Sequence, residues 1–296
     1  MQQNDLTKPQ IWLLAARPKT LPAAAAPVLL GIALAYKDEV FAFLPALAAM
    51  AGALLIQIGT NLANDYFDFK KGADTTERLG PLRVTQAGLL RPEETRLVMW
   101  FAFGAATLIG VYLVWTAGWP VIGIGLLSIA AGIAYTGGPF PLGYNGLGDL
   151  FVFLFFGLVA VGGTYFVQAG TVTREVLLSA VPIGLLATAI LVVNNLRDID
   201  TDRKAGKRTL AVRLGVDRTR TEFAALLAGA YAVTFILALT GASPPGVLLT
   251  WLSLMLAVPL LRTVRKVRGK RLNEALAGAG RLELMFAVLF ALGLIL

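Results

Sequence analysis

"NLANDYFDFKKGAD", residues 61–74, puts three aspartates, two asparagines and two lysines directly after an apolar run. A second stretch, "NNLRDIDTDRKAGKR" (194–208), repeats the arrangement after another apolar run. The chain around them is 57% hydrophobic and 15% charged, with a mean hydropathy of +0.71. A soluble domain carries about a quarter charged residues. Two acidic clusters in such a chain mark the places where a membrane bundle meets water.

Nine apolar blocks approach the length of a membrane-crossing helix, about 17–25 residues. They are Leu21–Tyr36, Leu44–Ala63, Leu97–Trp115, Trp119–Tyr135, Leu150–Val167, Leu177–Val193, Phe223–Leu239, Val247–Leu261 and Leu282–Leu296. Their glycines and alanines suit close helix packing in lipid. The expected fold is an all-α integral membrane protein of about nine helices, two four-helix halves plus a ninth, forming one polytopic domain over 1–296. The N-terminus has no apolar core followed by a small-residue cleavage site, so it reads as uncleaved.

With the N-terminus inside, 24 of the 26 lysines and arginines fall on inner segments, leaving only Lys37 and Arg174 outside. The positive-inside rule then directs both acidic clusters to the cytoplasm. The net charge of +8 follows from topology and indicates no nucleic acid. Cysteine and histidine are both absent. That excludes disulfides, thiolate catalysis, an imidazole base and any Cys- or His-held metal.

On a helix, Asn61, Asp65 and Asp68 lie within roughly 60° of one another, and Asn195, Asp198 and Asp202 likewise share a face. Asp200 points nearly opposite Asp198. The spacing Asn61-x3-Asp65 recurs as Asn194-x3-Asp198, and Gly72 and Gly206 follow each cluster. This is a weak internal repeat of the kind membrane proteins place around a site.

Carboxylates three or four residues apart repel, so each cluster needs positive charge nearby. One reading neutralises them with lysines and arginines at water-exposed helix ends. The other brings a hard cation: Mg2+ takes oxygen ligands from one or two carboxylates plus substrate phosphates. Lys70, Lys71, Arg83, Lys204, Lys207 and Arg208 could then hold phosphate oxygens.

The two asparagine/aspartate motifs in a nine-span chain resemble those of the UbiA-type membrane prenyltransferases. The resemblance runs through "ARPKTLPAAAAPVLLG" (16–31), "QIGTNLANDYFDFKKGADT" (57–75), "RLGPLRVTQAGLL" (78–90), "PLGYNGLGDLFVFLFFG" (141–157) and "LVVNNLRDIDTDRKAGKRTLAVRLG" (191–215). The third and fifth of these resemble the branch that acts on 1,4-dihydroxy-2-naphthoate.

The resemblance implies transfer of a prenyl group from an all-trans polyprenyl diphosphate to that acceptor, with loss of CO2 and diphosphate. The implied product is demethylmenaquinone, and the implied setting is a prokaryotic plasma membrane. It implies Mg2+ at Asp65, Asp68, Asp198 and Asp202, with Lys207 beside them in catalysis. Asn61, Asn64, Lys70, Asp74, Arg83, Asn195, Arg208 and Tyr144 become the substrate-binding set. Tyr66, Tyr135 and Asp149 are further candidates for assisting the chemistry.

Loop 136–149, "TGGPFPLGYNGLGD", has no lysine or arginine although it lies inside, and reads as a wall of the aromatic pocket. Segment 262–274 is basic and juxtamembrane, suited to anionic lipid. Two alternatives stand: a relative with another aromatic acceptor, or a divalent-cation transporter using the aspartates.

Overall fold

A bilayer offers no hydrogen-bond partner to open backbone, so apolar blocks of this length must satisfy themselves as helices. The computed structural model describes residues 6–73 and 79–296, and no strand occurs among them. A short helix, α1 (Lys8–Ala16), leads into α2 (Leu21–Lys37), α3 (Phe43–Lys70), α4 (Pro92–Ala117) and α5 (Pro120–Ala134). The second half is α6 (Gly148–Ala169), α7 (Arg174–Lys204), α8 (Val216–Leu239), α9 (Pro245–Lys266) and α10 (Gly269–Ile295). Among the described residues, eight segments are long and apolar enough to cross a membrane, and α5 is a shorter ninth.

Each predicted block falls on one of these helices, but several boundaries moved, and α7 runs past Val193 to Lys204. Helix α3 runs on past Ala63 to Lys70, so the first acidic motif is helical throughout. Helix α10 starts at Gly269, well before the predicted Leu282. Lys270, Arg271, Glu274 and Arg281 interrupt the apolar pattern there, yet Leu272, Ala275 and Ala279 between them are buried. Packing against other helices carries the helix through a stretch that hydropathy alone reads as a loop.

Local chemistry sets the helix ends. Arg91 precedes Pro92, and Glu94 reaches back to accept the Arg91 N–H at 2.8 Å, with Glu93 and Glu94 facing the N-terminal dipole. Thr173 caps α7 by accepting the Val176 N–H at 3.3 Å. The two motif helices end alike. Gly72 (φ +63°) follows α3, and Gly206 (φ +74°) follows α7. Both turn the chain back through the left-handed region, where glycine carries no steric cost.

The largest apolar core joins α2 to α6, α7, α8, α9 and α10. Helix α6 passes through a π-helical stretch at Phe153–Val159 and meets α7 backbone to backbone. A Cβ on Gly157 would stand 2.8 Å from the Gly184 Cα, and one on Gly184 would stand 3.0 Å from the Phe153 carbonyl. The other side of the molecule is looser. Helices α2 to α6 surround an apolar chamber of about 220 Å³, lined mainly by Ala, Gly, Ile, Val and Phe.

Gly157→Ala and Gly184→Ala should each destabilise the bundle by about 1–3 kcal/mol, the usual cost of overpacking. Gly104, which has nothing within 4 Å of an added Cβ, should accept alanine. Thermal unfolding in detergent checks this: a lowered Tm for the first two and none for the third is expected.

Candidate active site

The shared helix ending builds the centre of the site. The Asp68 carbonyl accepts the Ala73 N–H at 2.9 Å, and the Asp202 carbonyl accepts the Lys207 N–H at 2.9 Å. The residue after each turn is thus folded back beside the last aspartate of its own motif. In the second motif that residue is Lys207. Its Nζ lies 3.8 Å from Asp202 Oδ1 and 3.7 Å from Asp68 Oδ1. One ammonium therefore joins the two motifs, which meet at one end of the bundle.

Asp68 is the most heavily engaged carboxylate. Arg83 Nη2 donates to its Oδ2 at 2.8 Å, and the Tyr144 hydroxyl donates to its Oδ1. The neighbouring Asp65 accepts the Val84 N–H at 3.2 Å through Oδ2. Its Oδ1 is buried with no hydrogen-bond partner among the described residues. Segment 83–84 therefore folds its backbone and a guanidinium over both acids of the first motif.

In the second motif, Arg197 grips Asp198 with Nε to Oδ1 at 2.8 Å and Nη2 to Oδ2 at 2.5 Å. The same guanidinium donates to Asn194 at 2.8 Å and to Asn273 at 2.9 Å. Asp200 points away and is exposed, with Arg203 at 3.7 Å.

These carboxylates are not at water-exposed helix tips, as the sequence suggested. Asp65 and Asp68 are 2% exposed and Asp198 is 8% exposed. Segment 79–84 and loop 136–149 lie over them, through Arg83, Val84 and Tyr144. That loop contacts both motifs. Lys71 Nζ donates to the Thr136 and Gly138 carbonyls at 2.7 and 3.1 Å, and the Thr136 hydroxyl donates to Asn64 at 2.9 Å. On the far side, the Arg208 N–H donates to the Tyr144 carbonyl at 2.7 Å. The Tyr144 ring sits between two ammoniums, Lys71 at 5.2 Å and Lys207 at 4.5 Å from its centroid.

Several expected site residues do other things. Lys70 is exposed, with its ammonium 5.5 Å from the Tyr66 ring centroid, turned away from the acids. The Arg208 side chain is exposed, and Arg208 contributes through its backbone. Asn61 donates to the Ala16 carbonyl at 3.0 Å and to Thr20 at 2.9 Å, fastening α1 and the start of α2 to α3. Asn195 is buried on the α7 face beside Asp198. Asp74 lies outside the described residues.

Burial, with the carboxylates of Asp149, Asp202 and Asp68 behind it, pushes the Tyr135 phenol far above its ordinary range. Its hydroxyl lies where α6 begins, 3.0 Å from the Cβ that Gly148 lacks, and its ring lines the apolar chamber. Tyr135 thus stands where the acidic cluster gives way to the chamber. Loss of hydration lowers the Lys71 ammonium, against the pull of Asp68 and helped by repulsion from Lys207.

No three carboxylates among the described residues converge closely enough to enclose a metal ion. Arginine and lysine nitrogens stand between them. The donor set still suits a hard cation: it is all oxygen, and the orphaned Asp65 Oδ1 is a buried acceptor awaiting positive charge. Sequence reasoning missed Arg197, Asn273 and Thr136. Asn273 had no local signal, being 76 residues from Arg197.

The UbiA prenyltransferase family matches residues 24–294. A 1,4-dihydroxy-2-naphthoate octaprenyltransferase of Escherichia coli is 42% identical, over 90% of this chain and 88% of its own. The enzyme so named in Haemophilus influenzae is 38% identical over 98% and 97%. In Mycobacterium tuberculosis the figure is 40% over 95% of each chain. Among solved structures, a UbiA homolog from Archaeoglobus fulgidus bound to GPP and Mg2+ superposes with a TM-score of 0.69 at 14% identity, over 97% of this chain and 100% of that one. The apo UbiA homolog from Aeropyrum pernix gives 0.68 at 17% identity, over 98% of both. With its helices, its paired acidic motifs and this match from Ala24 to Leu294, the chain belongs to the UbiA prenyltransferase family.

Proposed function

We propose that this protein transfers a polyprenyl group from an all-trans polyprenyl diphosphate to 1,4-dihydroxy-2-naphthoate. The observation that carries this is identity of 36–42% with four enzymes of that name, across nine-tenths or more of the chain. Its membrane is the prokaryotic cell membrane, with the charged end of the bundle toward the cytoplasm. The distribution of lysine and arginine supports that orientation.

The diphosphate binds at the charged end and the isoprenoid tail lies in the apolar chamber between α2 and α6. Asp65, Asp68, Asp198 and Asp202 would hold Mg2+, which when bound supplies charge to the leaving diphosphate. Arg83 and Lys207 already stand at these carboxylates. When the headgroup arrives they exchange some carboxylate contact for phosphate oxygens, so positive charge is in place before the bond breaks. The covering segments keep water from the allylic carbon.

The electron pair of the allylic C–O bond leaves with the diphosphate. The ring carbon bearing the carboxylate attacks the allylic carbon, CO2 departs, and the electrons of that C–C bond restore the aromatic ring. This balance requires no net oxidation. The immediate product is the 1,4-diol, demethylmenaquinol, and the quinone forms when an oxidant takes two electrons. Decarboxylation drives rearomatisation, so no strong side-chain base is needed, which agrees with a chain lacking histidine.

A divalent-cation transporter would need polar groups continuing below the acids. Here the space beneath them is lined mainly by Ala, Gly, Ile, Val and Phe, and its polar groups, Gln57, Thr60, Ser128, Tyr135 and Thr164, include no carboxylate. Nothing in the site favours that alternative.

Purified protein in lipid vesicles, given labelled polyprenyl diphosphate, Mg2+ and dihydroxynaphthoate, should release one CO2 per prenyl transferred. Turnover with hydroxybenzoate and none with dihydroxynaphthoate would overturn the assignment. Asp68→Asn should cut turnover by roughly a hundredfold or more, as loss of a principal electrostatic group does. Because Asp68 is buried between Arg83 and Tyr144, that change should also cost on the order of 3 kcal/mol of stability, read as a lower Tm. Asp200→Ala should alter neither by more than about twofold in rate or 0.5 kcal/mol in stability, as for an exposed side chain.

A further inference from the structure

Asn273 lies in the first turns of α10, far in sequence from both acidic motifs, and it belongs to neither. Its side chain nonetheless holds the two parts of the site together. Through Oδ1 it accepts the Arg197 guanidinium at 2.9 Å, and through Nδ2 it donates to the Leu79 carbonyl at 2.9 Å. Leu79 begins the described part of the segment that delivers Arg83 to Asp68 and the Val84 N–H to Asp65. Arg197 is the group that fixes both oxygens of Asp198. One amide therefore links the cover of the first motif to the anchor of the second.

We infer that Asn273 is a positioning residue that clamps segment 79–84 onto the Arg197–Asp198 arm, setting Arg83 and Asp198 at one spacing for the same diphosphate. This rests on the prenyl-transfer reading above for the identity of the ligand, but not for the clamp itself.

An amide is the side chain that can do this. It presents an acceptor to a cation and a donor to a carbonyl at once, from one rigid plane. Aspartate could keep the first contact but has no donor for the second. Leucine has the volume and neither. The approach to the clamp is close as well: a Cβ on Gly269, the first residue of α10, would touch Leu79 Cδ1 at 3.7 Å. The first motif's segment thus rests on the start of the last helix, and the amide locks it there. Arg197 is itself buried, so its third partner is not exchangeable with water at no cost.

The chain has no cysteine, so a single introduced thiol reports one position without background. Val84→Cys places it at a residue with 0% exposure. In metal-free vesicles, maleimide labelling of Val84→Cys should be slow. It should accelerate about tenfold when combined with Asn273→Leu, and likewise with Asn273→Asp, which retains only the Arg197 contact. An unchanged labelling rate in both double variants would overturn the clamp, whatever the enzyme's acceptor proves to be.

In the otherwise native chain, Asn273→Asp should raise KM for the polyprenyl diphosphate about tenfold with kcat within about threefold. A loss confined to kcat would overturn the positioning role. Should native protein fail to turn over dihydroxynaphthoate, the substrate assignment fails, and the labelling result still decides the clamp.

Discussion

The site depends on the need to hold several carboxylates together under a covering of protein. Asp65, Asp68 and Asp198 are almost wholly removed from bulk water. Charges so placed are tolerated only with counter-charge and donors in hand. Lys207 meets that need for Asp68 and Asp202 together, and this is what brings α3 and α7 to a common point. Arg83 and Arg197 do the same for each motif separately. The surrounding loops follow from this constraint: segment 79–84 delivers one guanidinium, and loop 136–149 delivers the Tyr144 hydroxyl.

The two motifs share their spacing at both ends and differ in between. Their first aspartates follow an asparagine at the same spacing, and their last aspartates each stand four residues before the terminating glycine. Between the two aspartates the second motif has one residue more. On α3 the pair is therefore separated by three residues and on α7 by four, while both helices end in the same left-handed turn. The turn aims different residues back at the helix: Ala73 in the first and Lys207 in the second. The repeat supplies symmetry of scaffold, and this one replacement supplies the asymmetry that lets a single ammonium span both halves.

Most of the bundle was legible because lipid leaves the backbone no choice and long apolar blocks are hard to mistake. The aspartate faces were equally legible, since helical spacing alone sorts Asp198 and Asp202 from Asp200. Depth was not. Hydropathy read Asp65, Asp68 and Asp198 as lying at wet ends, because the segments that cover them are irregular and have no helical or strand periodicity. The same blindness shortened α10, where the charged residues between Lys270 and Arg281 looked like a loop. Contacts made by Asn61, Asn64 and Asn273 depend on which elements become neighbours across 41 to 194 residues. No local pattern encodes those.

The chamber beneath the acids has unequal walls. Behind its α6 face, the Gly157–Gly184 contact with α7 is backbone on backbone, with no atom to trim and no room to add. On its α5 face, Gly125 has nothing within 4 Å of an added side chain, whereas Gly132 would put one 2.4 Å from Thr60 Oγ1. Descendants of this sequence can therefore drift in the bulk they accommodate by adding atoms at Gly125. Gly132 and the α6–α7 seam leave natural variation no such freedom.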